Sequence, residues 1–496
     1  MKPFKILLFF LSVFIVLLAL TLYFPNKGIR LSGNITLGFY SADDIFAPPD
    51  TVKVDIQGLL KKQELLTDSV ISQLARRERS PLISDSLPLN ADSLKKIITR
   101  IEYPSDDSAI LSPVFSAMNA LPHSHQLVRI MHYGDSQIEG DRMTSVIRNK
   151  LQSRFGGSGI GLVPASQLYP YSLSLVQQNS DNWDRYLIYG PADNRIEHKR
   201  FGALASFCTL QSDTLHSDAD SRIGWIKFNR SPSAYENTQY FRQCRIFYGH
   251  NSEPFINEVF EKDQRIDATI VPPSKSFNVI RWMFDEPVSD LMVQFRYTES
   301  PEIYGLALDN TSGIAVDNVS LRGCAGLVFT SIDQPLLQEM YKELNVKLFI
   351  LQFGGNVVPY IADNYRYYER WYYRQIVRLK ELCPGASVLV IGIADMSVKN
   401  GEKYESYPNL DNVIYALKSA AFKAGAAFWD MQKAMGGKNS MPVWVNADPP
   451  LATSDYVHFT KRGSVIMAQM FYNAFIYEYL LFEETRNRQE RTLQKH

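Results

Sequence analysis

Two halves of one pattern stand at opposite ends of this 496-residue chain, and sequence of another kind separates them. In the first half, the mostly apolar run Leu127-Val128-Arg129-Ile130-Met131 leads to Gly134-Asp135-Ser136. Apolar residues then recur at helical spacing at Ile138, Met143, Val146, Ile147 and Leu151. A short apolar run followed by a 3.6-residue period is a strand entering a helix, so Gly134-Asp135 is the turn between them. The alternation returns late, with strand-like runs at 346–353, 387–393 and 426–429 and helical spacing at 365–382, 410–424 and 463–481. Strands this apolar bury both faces, which requires a parallel sheet with helices on either side. The sheet therefore has to close across whatever lies between the two halves.

Residues 167–312 carry a different signature. They are rich in Tyr, Phe, Ser and Asn, with short alternating runs such as Arg245-Ile246-Phe247-Tyr248 and Met292-Val293-Gln294-Phe295-Arg296-Tyr297. Many short strands divided by turns predict a β-sandwich inserted into the α/β domain. Just before it, Gly156-Gly157-Ser158-Gly159-Ile160-Gly161 follows a helix rather than a strand, which is the wrong context for a phosphate cradle.

Residues 6–24 are uncharged and, apart from Ser12 and Thr21, apolar. As a helix they would reach about 28 Å, enough to cross the hydrocarbon of a bilayer. Lys2 and Lys5 precede the run and no small-x-small cleavage site follows it, so residues 1–27 are expected to be an uncleaved anchor with the rest outside the cytoplasmic membrane. Residues 28–125 read as a stalk with a lead-in helix near 109–121, and residues 485–496 as a charged tail. Lys+Arg and Asp+Glu both number 52, with no basic stripe, so nucleic acid is not an expected partner. The four cysteines, Cys208, Cys244, Cys324 and Cys383, have no metal-ligand spacing. A Cys208–Cys244 bridge and isolated buried thiols are both compatible with an oxidising compartment.

The chemistry is concentrated in short segments of the α/β halves. A serine hydroxyl attacks an ester only when an imidazole takes its proton, and a carboxylate must hold that imidazole's tautomer and balance its charge. Ser136 stands at a strand's carboxyl end, and Asp455-Tyr456-Val457-His458 supplies orienter and base. Oxyanion donors are also needed. Val319-Ser320-Leu321-Arg322-Gly323-Cys324-Ala325-Gly326 offers a glycine amide, and Gly354-Gly355-Asn356 an amide side chain where a parallel sheet binds its ligands.

These four segments, in this order, resemble the SGNH branch of the GDSL esterase and lipase superfamily. The resemblance implies Ser136 as nucleophile, Asp455 and His458 as the rest of the triad, and an oxyanion hole from Ser136, Gly326 and Asn356, with Gly323 as the alternative register. It implies no metal or other cofactor. The chain departs at Val357, where an acid is usual, and at Gln137, where a leucine often stands. The expected fold is an SGNH-type, flavodoxin-like three-layer α/β/α sheet, split between 126–166 and 313–484, with the sandwich inserted and an N-terminal transmembrane helix. His132-Tyr133-Gly134-Asp135-Ser136-Gln137, the glycine loop and the long insertion are further similar to bacterial peptidoglycan O-acetylesterases with an inserted, carbohydrate-binding-like β domain. That implies a periplasmic, membrane-anchored esterase acting on an acylated glycan, with the membrane and a membrane-bound acyltransferase as further partners. An acyltransferase using the same triad and an inactive glycan-binding protein are the alternative readings.

Overall fold

Eight consecutive buried residues, Leu127–Gly134, form β4, and alternate side chains along it feed two separate cores. Met131 and Tyr133 point to one face, Val128 and Ile130 to the other. In this computed structural model the described residues are 99–493, apart from 170–171, 192, 194–195 and 212–221, with isolated positions in the first 58 residues.

The chain divides into units 1–53 and 54–496. In the first, β1 (Ile29–Ser32) and β2 (Ile35–Leu37) form an antiparallel hairpin. Phe9, Leu11, Ser12, Val13, Val16 and Ala19 are helical, with the Phe9 and Val16 side chains 61% and 58% exposed. The other positions of the expected membrane helix at 6–24 lie outside the described residues, as does most of the stalk.

In the second unit, β4 sits inside a six-stranded sheet of order β16-β4-β17-β18-β21-β3. The strands β16 (Gly313–Ser320), β17 (Val346–Gln352), β18 (Ser387–Ile391) and β21 (Ala427–Trp429) run parallel with β4. Counted along the chain, these five stand in the doubly wound order 2-1-3-4-5. Helices α3 (Gln334–Leu344), α4 (Arg366–Leu382) and α5 (Leu410–Lys423) cover one face. Helices α1 (Ser112–Ser124), α2 (Thr144–Phe155), α7 (Ser440–Val445) and α8 (Lys461–Leu493) cover the other, and the short α6 (Met431–Ala434) packs there too. The α/β/α architecture expected from the alternation is present.

Its limits differ from the expected ones. β3 (Ile101–Glu102), assigned above to the stalk, pairs antiparallel with β21 as the sixth strand. Residues 485–493, expected to be a tail, continue α8. Among the described residues α8 is the one helix long and apolar enough to span a membrane. Its Met467, Phe471, Phe475 and Ile476 are buried against the sheet, so core packing accounts for its apolar character.

The interrupting segment forms two antiparallel sheets. One has the order β13-β10-β15-β8-β7, built from β7 (Trp183–Leu187), β8 (Ser206–Leu210), β10 (Phe241–Asn251), β13 (Ser274–Val288) and β15 (Glu302–Asp309). The other has the order β12-β11-β14-β9-β6, built from β6 (Leu175–Asn179), β9 (Arg222–Arg230), β11 (Phe255–Glu261), β12 (Gln264–Val271) and β14 (Leu291–Tyr297). Cys244, Ile246, Leu306 and Leu308 of the first share a core with Phe228, Val293 and Phe295 of the second. β5 (Gly161–Val163), on the hydrolase side of the expected boundary at 166, pairs with β15. Cys208 and Cys244 are free thiols, not a bridge: β8 and β10 lie on opposite sides of β15, two strand spacings or about 9.5 Å apart. β19 (Ser397–Asn400) and β20 (Lys403–Ser406) make a separate hairpin.

The glycine loop is the seam between the two layers. Gly157 and Gly159 have positive φ, and a Cβ on them would sit 2.4 Å from the Ile314 carbonyl oxygen and 2.2 Å from that of Leu308. Only glycine lets the backbones approach this closely. Beneath it, the buried Arg129 of β4 forms ion pairs with Asp317 of β16 and Asp309 of β15, and Arg245 of β10 reaches Asp309 at 3.1 Å. One guanidinium thus joins sheet and sandwich.

Candidate active site

Parallel strands deliver loops to one edge of the sheet, and the four expected segments all follow that logic. β4 ends at Gly134, and Ser136 starts the next turn, with Asp135 N–H donating to the Gln352 carbonyl at 3.2 Å. β16 leads to the Gly323–Gly326 loop and β17 to Asn356, while His458 arrives on the loop before α8.

The ends of the chain meet here. Ser136 Oγ lies 2.8 Å from His458 Nε2, and His458 Nδ1 lies 2.7 Å from Asp455 Oδ2. Asp455 Oδ1 accepts from the backbone N–H groups of Val457 and His458 at 2.9 and 3.0 Å and from Thr453 Oγ1 at 2.6 Å. Partial burial works against its charge, but these hydrogen bonds prevail and hold its carboxyl at about 2. Asp455 therefore stays an anion beside the imidazole. Tyr456 turns the chain through a left-handed φ of 58°, and its ring stacks on Tyr404 of β20 with centroids 3.6 Å apart.

Of the expected oxyanion donors, Asn356 lines the cavity beside Ser136, and Gly326 does not. Asn356 Nδ2 donates to the Cys324 carbonyl at 3.1 Å and lies 3.5 Å from Asp135 Oδ2. Gly326, at φ 78°, is packed on the Phe353 ring, and its N–H donates to the weak acceptor Cys324 Sγ at 3.3 Å. Gly323 is exposed, with nothing within 4 Å of where a Cβ would stand. Phe353, Ser136, Asn356 and His458 line a cavity of about 260 Å³ whose apolar wall includes Pro359, Ile393 and Met396. Burial pushes Asp135 up to about 6, against hydrogen bonds from Gln137 and Gly355 and the attraction of His458.

Three further residues brace the site; Gln137 and His132 entered the sequence reading only as parts of the resemblance, and Arg142 carries no sequence signal of its own. Gln137 Nε2 donates to the Val457 carbonyl at 2.6 Å, tying the Ser136 loop to the His458 loop. The Arg142 guanidinium donates to the Ser136 carbonyl. Below the serine, His132 lies between Thr144 Oγ1 at 2.9 Å and Gln352 Oε1 at 3.1 Å, and burial lowers it to about 4, so it is a neutral strut. Trp444 is buried, as are Tyr365 just before α4 and Tyr368 and Tyr372 on its inner face, so these rings pack the core, while Tyr367, Trp371 and Tyr373 face outward.

The serine loop, the glycine loop, the asparagine loop and the Asp-x-x-His loop stand together at the carboxyl edge of a 2-1-3-4-5 sheet, and that fold is shared with solved esterases of the SGNH/GDSL type. Among solved structures, a peptidoglycan O-acetylesterase superposes over 73% of this chain and 95% of its own with a TM-score of 0.57, at 19% identity. The likeness is one of fold. An acetyl xylan esterase (TM-score 0.27, 17% identity, 32% of this chain and 81% of its own) and a GDSL-like lipase from Bacteroides ovatus (0.21, 11%, 50% and 82%) match more loosely. No protein-family model and no curated protein matches the chain.

Proposed function

We propose that this protein is a serine esterase that removes O-acetyl groups from a glycan outside the cytoplasmic membrane. The observation carrying this reading is the unbroken relay Ser136–His458–Asp455 at 2.8 and 2.7 Å, assembled from residues more than 300 positions apart. The fold shared with a peptidoglycan O-acetylesterase supports an acetylated cell-wall glycan as substrate.

His458 Nε2 takes the Ser136 proton as Oγ bonds to the acetyl carbonyl carbon, and the carbonyl π electrons move to oxygen. The Ser136 and Gly326 N–H groups and Asn356 Nδ2 receive that oxyanion. The 3.5 Å contact with Asp135 is at the margin of hydrogen bonding, so the second Asn356 N–H remains usable. As the oxyanion collapses, the C–O bond to the sugar breaks and His458 returns its proton to the leaving hydroxyl. Water, deprotonated by the same imidazole, then releases acetate and restores Ser136.

The uncharged run at 6–24 behind Lys2 and Lys5 supports a membrane anchor, with the acylated glycan and a membrane-bound acyltransferase as neighbours. Removal of residues 1–27 should leave a soluble enzyme, and protease added to spheroplasts should cleave the full-length protein. A fluorophosphonate probe should label wild type but not Ser136→Ala, and acetate release from O-acetylated peptidoglycan should vanish in the same variant. A folded wild-type protein that neither takes the probe nor releases acetate would refute the esterase reading.

A further inference from the structure

A second cavity, of about 90 Å³, lies between the α/β sheet and the sandwich. Its hydrolase wall is the turn Glu139–Asp141, three residues beyond the nucleophile, and the end of β16 at Ser320 and Arg322. Ser320 is in register with Gly134, so this wall and the serine share one edge of the sheet. The sandwich wall comes from β5, β6 and β7 and includes Arg185 and Tyr189.

The charges in this cavity do not balance. Arg148 holds Asp141 through two hydrogen bonds of 2.6 and 3.2 Å, and Arg322 reaches Glu139 at 3.5 Å. Arg185 has no carboxylate partner among the described residues: its Nε donates to Ser206 Oγ at 3.3 Å and its Nη1 to the Ser166 carbonyl at 3.1 Å. Three arginines against two carboxylates leave a net charge of +1, located on Arg185. Arg185 is partly buried, desolvation lowers its basicity, and the groups acting against that are the Cys208 thiol and the Tyr189 phenol, with no carboxylate among them. A cation placed in a low-dielectric cleft without a counter-ion costs stability, which an anionic ligand would recover. The planar fork of a guanidinium matches a carboxylate better than it matches a neutral hydroxyl. At the rim, the Arg322 guanidinium lies 4.8 Å from the centre of the half-exposed Tyr169 ring, an amphipathic surface on which a sugar can rest.

We propose that this cavity is a carboxylate subsite, and that the esterase prefers glycans in which a sugar carrying a carboxylate lies beside the acetylated hydroxyl. The inference rests on the esterase reading and names the substrate class for the same serine. Arg185 is a positioning residue: it holds the acid group while Ser136 attacks the acetyl carbon. It also gives the inserted sandwich a part in substrate selection.

The test compares an O-acetylated methyl glucuronide with the matching O-acetylated methyl glucoside. Wild type should show a kcat/KM at least about tenfold higher for the acid, mainly through KM, since one charge-assisted contact is commonly worth that much. In Arg185→Gln the ratio should fall towards one, and in Arg185→Lys part of it should return. Fluorophosphonate labelling of Ser136 reports whether each variant is folded. Equal kcat/KM for acid and neutral ester in wild type overturns the subsite, whatever the variants do. If Ser136 takes no probe at all, the esterase reading has failed separately, and the subsite is then judged by melting. Sodium methyl glucuronide should raise the wild-type Tm where methyl glucoside does not, and identical Tm values overturn it.

Discussion

The Gln137 side-chain amide donates to the Val457 carbonyl at 2.6 Å, so the residue after Ser136 holds the residue before His458. The two loops belong to segments 320 positions apart, and this bond acts on their spacing directly. Its Oε1, however, is buried without a partner.

Replacing Gln137 by leucine removes both features. Losing the donor leaves the Val457 carbonyl short of a partner, a cost of about 1–3 kcal/mol, but the orphaned Oε1 and its desolvation disappear too. Stability should therefore change by less than about 1 kcal/mol in urea melts. Turnover should fall about tenfold, because a base displaced by a fraction of an ångström transfers its proton poorly. A variant with wild-type kcat would show that the tie has no catalytic consequence.

The triad and the oxyanion donors should separate in magnitude. Asp455→Asn should lower kcat by about 10⁴, since an amide cannot balance the imidazolium and favours the wrong tautomer. Asn356→Ala should cost only about 10²–10³, because two backbone donors remain. Equal losses in the two variants, measured on one acetyl ester, would contradict the separate roles assigned to them. The carboxyl of Asp455, held at about 2, contributes stability that is present above its unfolded value of 3.8 and is lost only as pH falls through about 2. Its titration should therefore leave no inflection in activity near neutral pH.

Asp135 has the opposite sign. Burial raises its folded value to about 6 from 3.8, so the folded protein binds the proton first on acidification, and between these values this group makes stability fall as pH rises. A displacement of about two units corresponds to roughly 3 kcal/mol. Asp135→Asn should thus raise the melting temperature at pH 7, with the gain shrinking through pH 6 and vanishing below about pH 4. The same substitution should slow the enzyme, because a negative charge near His458 is removed. A gain independent of pH would show that Asp135 is not the group titrating.

Much of this was legible in the sequence because parallel sheets leave strong traces. The runs that form β17, β18 and β21 are largely apolar, and the turn at Gly134-Asp135 leads out of β4. The contact of Ser136 with His458 was foreshadowed because Gly-Asp-Ser and Asp-x-x-His are ordered motifs. β3 was not: two residues, Ile101 and Glu102, are too short to show a period, and only pairing with β21 makes them a strand. Nor could spacing show that β5 belongs with β15, since three residues after a glycine loop read equally well as either domain. Gln137, Arg142 and Arg185 were silent for another reason. Gln137 acts on a partner 320 positions away and Arg185 on partners about 20 away, while Arg142 reaches the Ser136 carbonyl six residues back through a turn that has no periodic pattern.

The glycine loop gives the most direct test of how sandwich and sheet are joined. Gly156 and Gly159 both have positive φ, at 78° and 87°, but a Cβ on Gly156 meets nothing within 4 Å. Gly156→Ala should therefore cost only backbone strain, about 1–3 kcal/mol. On Gly159 the same methyl would lie 2.2 Å from the Leu308 carbonyl oxygen and 2.9 Å from its carbon, in a strand that cannot retreat because Asp309 beside it is ion-paired to the buried Arg129. Gly159→Ala should thus cost more than about 4 kcal/mol, the range reserved for disrupted cores and seams. Because Ser136 and the base sit on the sheet rather than on the sandwich, fluorophosphonate labelling distinguishes two forms of damage. Loss of the seam alone leaves Ser136 reactive while β-rich structure melts early, whereas collapse of the whole unit removes both signals together. Urea titration followed by circular dichroism and by labelling should show the two signals lost together, since Arg129 ties both layers into one core. Equal destabilisation by the two alanines would mean that the close approach at Gly159 does not hold the layers together.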